Sequence, residues 1–164
     1  MHLAQREYIA GQGAGFVEYH RIHCCQCFQR LQWRARELTV NISGEPLKME
    51  VDPEKIGTAL ANLLSNAIRY SPLKGTIELS LSQQPGLVHI DIQDQGAGVA
   101  PADQERIFEP FYRGERQPEG GVRGSGIGLS IVQEYIAAHG GRIELLPQDA
   151  GSHFRIEFPH VYKS

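Results

Sequence analysis

The sequence predicts an α/β fold, a two-layer α/β sandwich in which a mixed, largely antiparallel sheet is covered on one face by helices. Three observations carry that expectation. Six short segments alternate apolar and polar residues with period two, two longer segments repeat apolar residues at helical spacing, and glycine-bearing turns separate them.

Residues 1 to about 28 contain Gly11-Gln12-Gly13-Ala14-Gly15 and a His- and Cys-rich patch but no sustained apolar period, so they read as a tail. From Phe28 to Leu38 polar and apolar residues mix at roughly helical spacing. Residues 38–43 and 47–51 then alternate like strands about Gly44-Glu45-Pro46, a helix end feeding a hairpin. Asp52-Pro53 opens a helix, with a carboxylate at the N-cap and proline at the first helical position. Ile56, Leu60, Leu63, Leu64 and Ala67 repeat along it, and the helix should run to Tyr70 and stop at Ser71-Pro72. Residues 76–82 and 87–93 form two amphipathic strands joined through Gln84-Pro85-Gly86, an antiparallel pair. A short helical stretch is expected at 101–108, followed by a polar, Gly-rich segment at 113–125 of the kind that serves as a mobile functional loop. A helix over about 127–138, stopped by Gly140-Gly141, leads into final strands at 142–146 and 152–158.

A chain of 164 residues can bury a core without disulfides or metals, and one ordinary domain plus a tail is the default. A net charge of -3 supplies no basic field, so a nucleic-acid partner is disfavoured. No apolar run reaches the length of about 18 residues needed to span a bilayer, and no export signal opens the chain. No membrane contact is expected of this segment itself. Cys24, Cys25 and Cys27 sit in one tight odd-numbered cluster, a poor disulfide framework that fits a reducing, cytoplasmic setting. With His20 and His23 they lack a clean Cys-x-x-Cys pair, which argues against a zinc site.

Four motifs occur in order. On the first long helix Asn62, Asn66, Arg69 and Tyr70 share one side, while Leu60, Leu64 and Ile68 face the other as core. Two amides alone would more readily suit a solvated helix face. Asp94-Gln95-Gly96-Ala97-Gly98 ends an apolar strand with a carboxylate and two glycines, where backbone can approach a flat ligand and an acceptor suits an exocyclic amine. By itself it is also an ordinary Asp-x-Gly turn. Phe108-Glu109-Pro110-Phe111-Tyr112-Arg113 places aromatic anchors at the base of the polar loop, as a hinge or a satellite apolar cluster. Finally, Arg123-Gly124-Ser125-Gly126-Ile127-Gly128-Leu129 opens the second helix, and free N–H groups there form an anion site suited to phosphates. It is neither a Walker motif nor a dinucleotide fingerprint, and the Gly11 to Gly15 copy, with no helix after it, reads as linker.

In that order the motifs resemble those of the histidine kinase ATP-binding domain, of the superfamily that includes gyrase, Hsp90 and MutL ATPases. Asn62 to Ala67 resembles the N box, Asp94 to Gly98 the first glycine box, Phe108 to Phe111 the F box, and Gly124 to Leu129 the second glycine box. His139-Gly140-Gly141 and Gly151-Ser152-His153-Phe154 also follow the kinase pattern. The resemblance implies a Bergerat fold with a mobile ATP lid over 113–125, a catalytic domain spanning 38–160, and residues 1–37 as a tail or remnant of the segment leading from a dimerisation domain. It implies that Asp94 takes the adenine amine, that Tyr70 packs by the adenine, and that Asn66 holds Mg²⁺ with Asn62 at the same metal or its waters. Arg69 would reach the phosphates, and Gly96, Gly98, Phe108, Arg113, Gly124, Ser125, Gly126, Ile127, Gly128 and Leu129 complete the ATP site. The cofactors are then ATP and Mg²⁺.

The hydrolytic members of the superfamily carry a glutamate four residues before the metal-binding asparagine, and here that place is Asn62, which cannot act as a general base. A kinase is therefore expected rather than an ATPase. The family's phosphoacceptor segment is absent, since His20, His23, His89, His139, His153 and His160 all lack its neighbours. The partners implied are a histidine-containing dimerisation domain of the same sensor kinase and a response regulator downstream, with this chain as the cytoplasmic C-terminal part of a membrane-bound sensor. Two other readings use the same pocket: an anti-sigma-factor-type serine kinase and binding switch, and a nucleotide-sensing module without transfer.

Overall fold

The computed structural model describes residues 16–18, 37–44, 48–116 and 124–159. The elements are β1 (Phe16–Glu18), β2 (Thr39–Ser43), β3 (Lys48–Glu50), α1 (Pro53–Tyr70), β4 (Thr76–Gln84), β5 (Leu87–Gln93), a 3-10 turn (Pro101–Asp103), α2 (Gly128–Ala138), β6 (Arg142–Leu146) and β7 (His153–Pro159).

Helix α1 begins and ends where its local chemistry dictates. The Asp52 carboxylate accepts the Glu54 and Lys55 N–H groups at 3.0 and 3.1 Å, and Pro53 follows it with no N–H to satisfy. These bonds, that to Lys55 first, hold the Asp52 pKa below its ordinary value. At the other end the Ser71 hydroxyl and N–H both donate to the Ala67 carbonyl, and Pro72 prevents a further turn. The inward face is Ile56, Ala59, Leu63, Leu64, Ala67 and Ile68, whereas Leu60 is only partly buried. Each fully buried Leu or Ile contributes roughly 1.5–3 kcal/mol.

The main sheet has strand order β2-β4-β5-β7-β6, with β2 parallel to β4 and every other neighbour antiparallel. Register aligns Leu81, Ile90, Ile156 and Ile143 across four strands, and Ile77, Val88, Ile92, Phe154 and Phe158 extend this face into the core. Both helices close over it: Val132 and Ile136 of α2 join the same cluster as the apolar side of α1. The opposite face carries paired polar groups. Asp91 lies 2.6 Å from His153 Nε2 and accepts Arg155 Nε at 2.8 Å, while Glu157 accepts Arg142 Nε at 3.0 Å beside His89. Arg142 first, then His89, lowers the Glu157 pKa. The two-layer α/β sandwich expected from the sequence is the fold that forms.

Two local expectations fail. Residues 38–43 and 47–51 do not form a hairpin: β2 runs parallel to β4, with Thr39 opposite Thr76, and β3 pairs with β1. Alternation says which face a strand buries but not which neighbour it takes. The choice is visible at Gly44, where a Cβ would overlap the Leu81 carbonyl, so the end of β2 is pressed onto β4. Likewise, the helix expected at 101–108 is a 3-10 turn continued by single turns, with Arg106 N–H and Ile107 N–H both donating to the Asp103 carbonyl. Glu109 N–H then donates to the Arg106 carbonyl and Tyr112 N–H to the Glu109 carbonyl, a last turn that contains Pro110. The expected helix end before Glu37, the Gly11 to Gly15 copy and the Cys cluster lie outside the described residues.

Candidate nucleotide site

Because the apolar side of α1 is turned into the core, its other side, Asn62, Ser65, Asn66, Arg69 and Tyr70, lines a cleft. The segment after β5 contributes Asp94, Gly98, Val99, Ala100, Asp103 and Ile107 to the same cleft. Tyr112, Arg113, Gly114 and Arg116 line one rim, Gly124, Ser125, Gly126, Gly128 and Leu129 another, and Ser152 and Phe154 of the sheet contribute to the lining. Residues 117–123, the middle of the expected lid, lie outside the described residues.

Asp94 directly follows β5 and is 5% exposed, so its carboxylate is fixed rather than solvated. Oδ1 accepts Gly96 N–H at 2.8 Å and Ser152 N–H at 3.2 Å, and its own N–H donates to the Ser152 carbonyl at 3.0 Å. Burial raises its pKa above the ordinary value, with the Gly96 and Ser152 bonds opposing the shift. Gly96 is required for a steric reason: a Cβ there would lie 2.5 Å from the Tyr70 carbonyl oxygen. The turn thus packs directly on the end of α1.

The opposite end is built for negative charge. Unlike α1, helix α2 has no side-chain cap: its N-cap is Ile127, and no acidic residue occupies the first turn. Its first N–H groups and the positive end of its dipole therefore face the cleft at Gly128 and Leu129. Asn62 lies beside this terminus, its amide oxygen 3.3 Å from where a Cβ on Gly128 would sit. Arg69 packs on Gly124 so closely that a Cβ there would overlap the guanidinium. Three cations, Arg69, Arg113 and Arg116, line the same cleft, with Arg116 reaching back to the Ala97 carbonyl in the Asp94 turn. The loop's two roots meet where Phe111 N–H donates to the Gly126 carbonyl at 2.9 Å, with Gly126 at φ 76 and Phe111 held in the left-handed region at φ 65.

Most of the residues expected from the sequence meet in this cleft, but Gly96, Phe108 and Ile127 do not line it. Gly96 supports Asp94 from behind, and Ile127 is the helix N-cap. Phe108 packs edge-on against Phe154, ring centroids 6.3 Å apart, beneath the site. Sequence reasoning missed Asp103, Tyr112 and Arg116. Asp103 is 3% exposed and accepts the Tyr112 hydroxyl at 2.6 Å and Glu115 N–H at 2.8 Å; these bonds, Tyr112 first, lower its pKa. Tyr112 in turn carries the Arg106 guanidinium over its ring at 4.1 Å. A single carboxylate within an irregular turn gives no periodic signal, so only a buried acid next to an aromatic-rich stretch could have suggested it.

Among the described residues no group of three His, Cys, Asp or Glu side chains could hold a metal ion. Two amides, Asn62 and Asn66, are among the oxygen donors that line the cleft, and Asn62 lies beside the uncapped helix. Such a donor set is too sparse for a protein-only cage but suits Mg²⁺, which is commonly held by one or two protein groups together with substrate phosphates and water.

Comparison with known proteins agrees with this geometry. Residues 51–161 match the family described as histidine kinase-, DNA gyrase B-, and HSP90-like ATPase. Over 119 residues, 72% of this chain and 29% of the relative, the sequence is 40% identical to the sensor-like histidine kinase SenX3 of Mycobacterium bovis. Over 109 residues, 65% of this chain and 18% of the relative, it is 36% identical to the sensor histidine kinase WalK of Bacillus subtilis. The chain thus spans less than a third of the length of these curated relatives. The solved mycobacterial sensor histidine kinase MprB superposes with a TM-score of 0.74 at 29% identity, covering 82% of this chain and 91% of that one. With the cleft and the ordered motifs in place, this chain belongs to the family of histidine kinase-, DNA gyrase B- and HSP90-like ATPases.

Proposed function

We propose that residues 38–160 are the ATP-binding catalytic domain of a two-component sensor kinase, which binds Mg-ATP and transfers its γ-phosphate to a histidine on a dimerisation domain of the same kinase. The observation that carries this reading is the polarity of one cleft: a buried acceptor-only carboxylate at one end, and Arg69 with an uncapped helix N-terminus at the other. Adenine has an exocyclic donor and ATP a triphosphate, so the two ends match the two ends of the ligand.

Each residue then has a task. Asp94 accepts the adenine amine while its Oδ1 remains tied to Gly96 and Ser152, and Tyr70 borders the base. Arg69, Arg113, Ser125 and the amides at Gly128 and Leu129 receive phosphate oxygens. Asn66, with Asn62, would hold Mg²⁺ through amide oxygen, and the bound ion supplies neutralisation of charge on the phosphates during transfer. Positioning and charge stabilisation account for most of the catalysis in such a reaction. The acceptor is a neutral imidazole, already nucleophilic, and a response regulator is the downstream partner. No helix among the described residues is long and apolar enough to cross a membrane; we place the domain on the cytoplasmic side of a membrane-bound sensor.

The test is incubation of the chain with γ-labelled Mg-ATP and a purified dimerisation domain carrying the acceptor histidine. Acid-labile, base-stable label on that domain is expected, lost in Asn66→Ala. Acid-stable label on a serine of a partner would assign the cleft to a protein-serine kinase instead.

A further inference from the structure

The segment that brings Tyr112, Arg113, Gly114 and Arg116 to the rim of the cleft belongs to no helix or strand, so beyond the backbone bonds of Phe111 and Tyr112 at its root its position depends on side chains. Asp103 is central to that. Its Oδ1 receives the Tyr112 hydroxyl at 2.6 Å and its Oδ2 receives Glu115 N–H at 2.8 Å, so one carboxylate grips the segment on both sides of Arg113. Gly114 lies directly over it: a Cβ there would be 2.5 Å from Oδ2, which means that the backbone could not come so close with any other residue. The side chain is buried, and its own backbone is fixed by the 3-10 turn, where its N–H donates to the Ala100 carbonyl at 2.8 Å. A second tie lies just beyond, where the Arg116 guanidinium donates to the Ala97 carbonyl in the Asp94 turn.

We propose that Asp103 is a positioning residue for the phosphate end of the nucleotide: by holding Tyr112 and Glu115 it sets Arg113, which lies between them, at the cleft. The inference rests on the ATP-binding reading above. Asp103 does not itself meet the ligand's phosphates, which a carboxylate would repel, and both its oxygens are already engaged by the segment it holds. The bonds to Tyr112 and Glu115 also keep it ionised to lower pH than an ordinary aspartate, consistent with a permanent acceptor. Without it the segment has little apolar surface to fix it, since Arg113, Glu115 and Arg116 are exposed and Phe111 is 73% exposed. Arg113 would then spend less time where it neutralises phosphate, and adenine recognition by Asp94, which is held by Gly96 and Ser152, would be untouched.

That separation defines the experiment. Affinities of the 164-residue chain for ATP with Mg²⁺ and for adenosine are measured by NMR titration, in wild type, Asp103→Ala, Asp103→Asn and Tyr112→Phe. Asp103→Ala should weaken ATP by about tenfold, as expected for the loss of one or two charge-assisted contacts, and leave adenosine within about twofold. Asp103→Asn should recover most of that loss, because its oxygen can still accept Glu115 N–H while its NH2 donates to the Tyr112 oxygen. Tyr112→Phe, which removes one of the two ties, should weaken ATP by about threefold. Equal weakening of ATP and adenosine, or an unchanged ATP affinity in Asp103→Ala, overturns the proposal. Should Asp103→Ala not fold, Tyr112→Phe carries the test, and an unchanged ratio of ATP to adenosine affinity overturns it. Wild-type chain that binds adenosine and ATP equally, or neither, overturns the ATP reading itself, a result distinct from any difference among variants.

Discussion

Asp94 and Asp103 are both buried carboxylates in one cleft, yet their environments push them in opposite directions. Asp103 is lowered by a phenol and an N–H, whereas Asp94 is raised by burial that its two N–H partners only partly offset. A raised folded-state pKa means that Asp94 binds protons more readily folded than unfolded. Its favourable contribution is complete below the ordinary value of 3.8 and is lost as pH rises through the raised value, so at neutral pH the ionised carboxylate destabilises the ligand-free domain. Asp94→Asn should therefore melt at the same or a higher temperature than wild type at pH 7, with any advantage disappearing as pH falls towards 3.8. In the same variant the amide oxygen remains claimed by Gly96 and Ser152, which turns its NH2 towards the ligand. A donor then opposes the adenine amine, and ATP should bind at least about tenfold more weakly while GTP, with an acceptor in that place, gains. Differential scanning calorimetry across pH, with titration calorimetry for both nucleotides, checks both halves. A variant that loses stability and keeps its preference for ATP would contradict the assignment.

Helices α1 and α2 are joined by apolar packing and also by one polar tie far from the nucleotide. His139, just past the end of α2, accepts the Asp52 N–H at 3.0 Å through Nε2, while Nδ1 lies 2.6 Å from the Tyr135 carbonyl. A carbonyl can only accept, so the proton sits on Nδ1 and the ring is neutral in this arrangement. His139→Leu leaves the Asp52 N–H without that partner and should lower the melting temperature by about 3 °C. Since the tie meets α1 at its N-cap, Asp52, and the ligand-facing residues begin ten positions later at Asn62, ATP affinity should stay within about twofold. Equal melting of variant and wild type would show that the tie is replaced by water. Such contacts explain what could be read without a structure. Both helices and the strands from Thr76 onward were legible because period, caps and turns are local properties, down to the Asp52-Pro53 start and the Ser71-Pro72 stop of α1. The side of α1 that carries Asn62, Asn66, Arg69 and Tyr70 was legible for the same reason. The partner of β2 was not, because a parallel pairing with β4 is settled by contacts such as Gly44 on Leu81, thirty-seven residues away. Asp103 was hidden for a related cause: its role depends on Tyr112 and Glu115 folding back over it.

At the scale of the whole molecule, the question is where the phosphoryl group goes once ATP is held. The cleft has no hydrolytic base at the position where related ATPases use one: Asn62 stands there, pressed against the first turn of α2 by Gly128, and an amide cannot take a proton from water. Nor does any described histidine line the cleft. His89 and His153 belong to the sheet face opposite the helices, and His139 is bound at the far end of α1. The fold therefore presents a charged phosphate with neither an activated water nor an internal nucleophile among the described residues. The expected result is an intrinsic ATPase slower than about 10⁻² per second, near or below the rate of nucleotide-binding folds that lack a positioned partner. Asn62→Glu restores a proton acceptor at that place and should raise hydrolysis by about tenfold, less than the roughly hundredfold of an optimally placed general base, while lowering transfer to an added histidine-bearing domain. Asn66→Ala should abolish both activities, because the amide that would hold Mg²⁺ serves either acceptor. Phosphate release and label transfer measured side by side on the three proteins decide the matter: rapid Asn66-dependent turnover by the wild-type chain alone would show that the cleft activates water without Asn62, and the division between binding domain and external acceptor would fall.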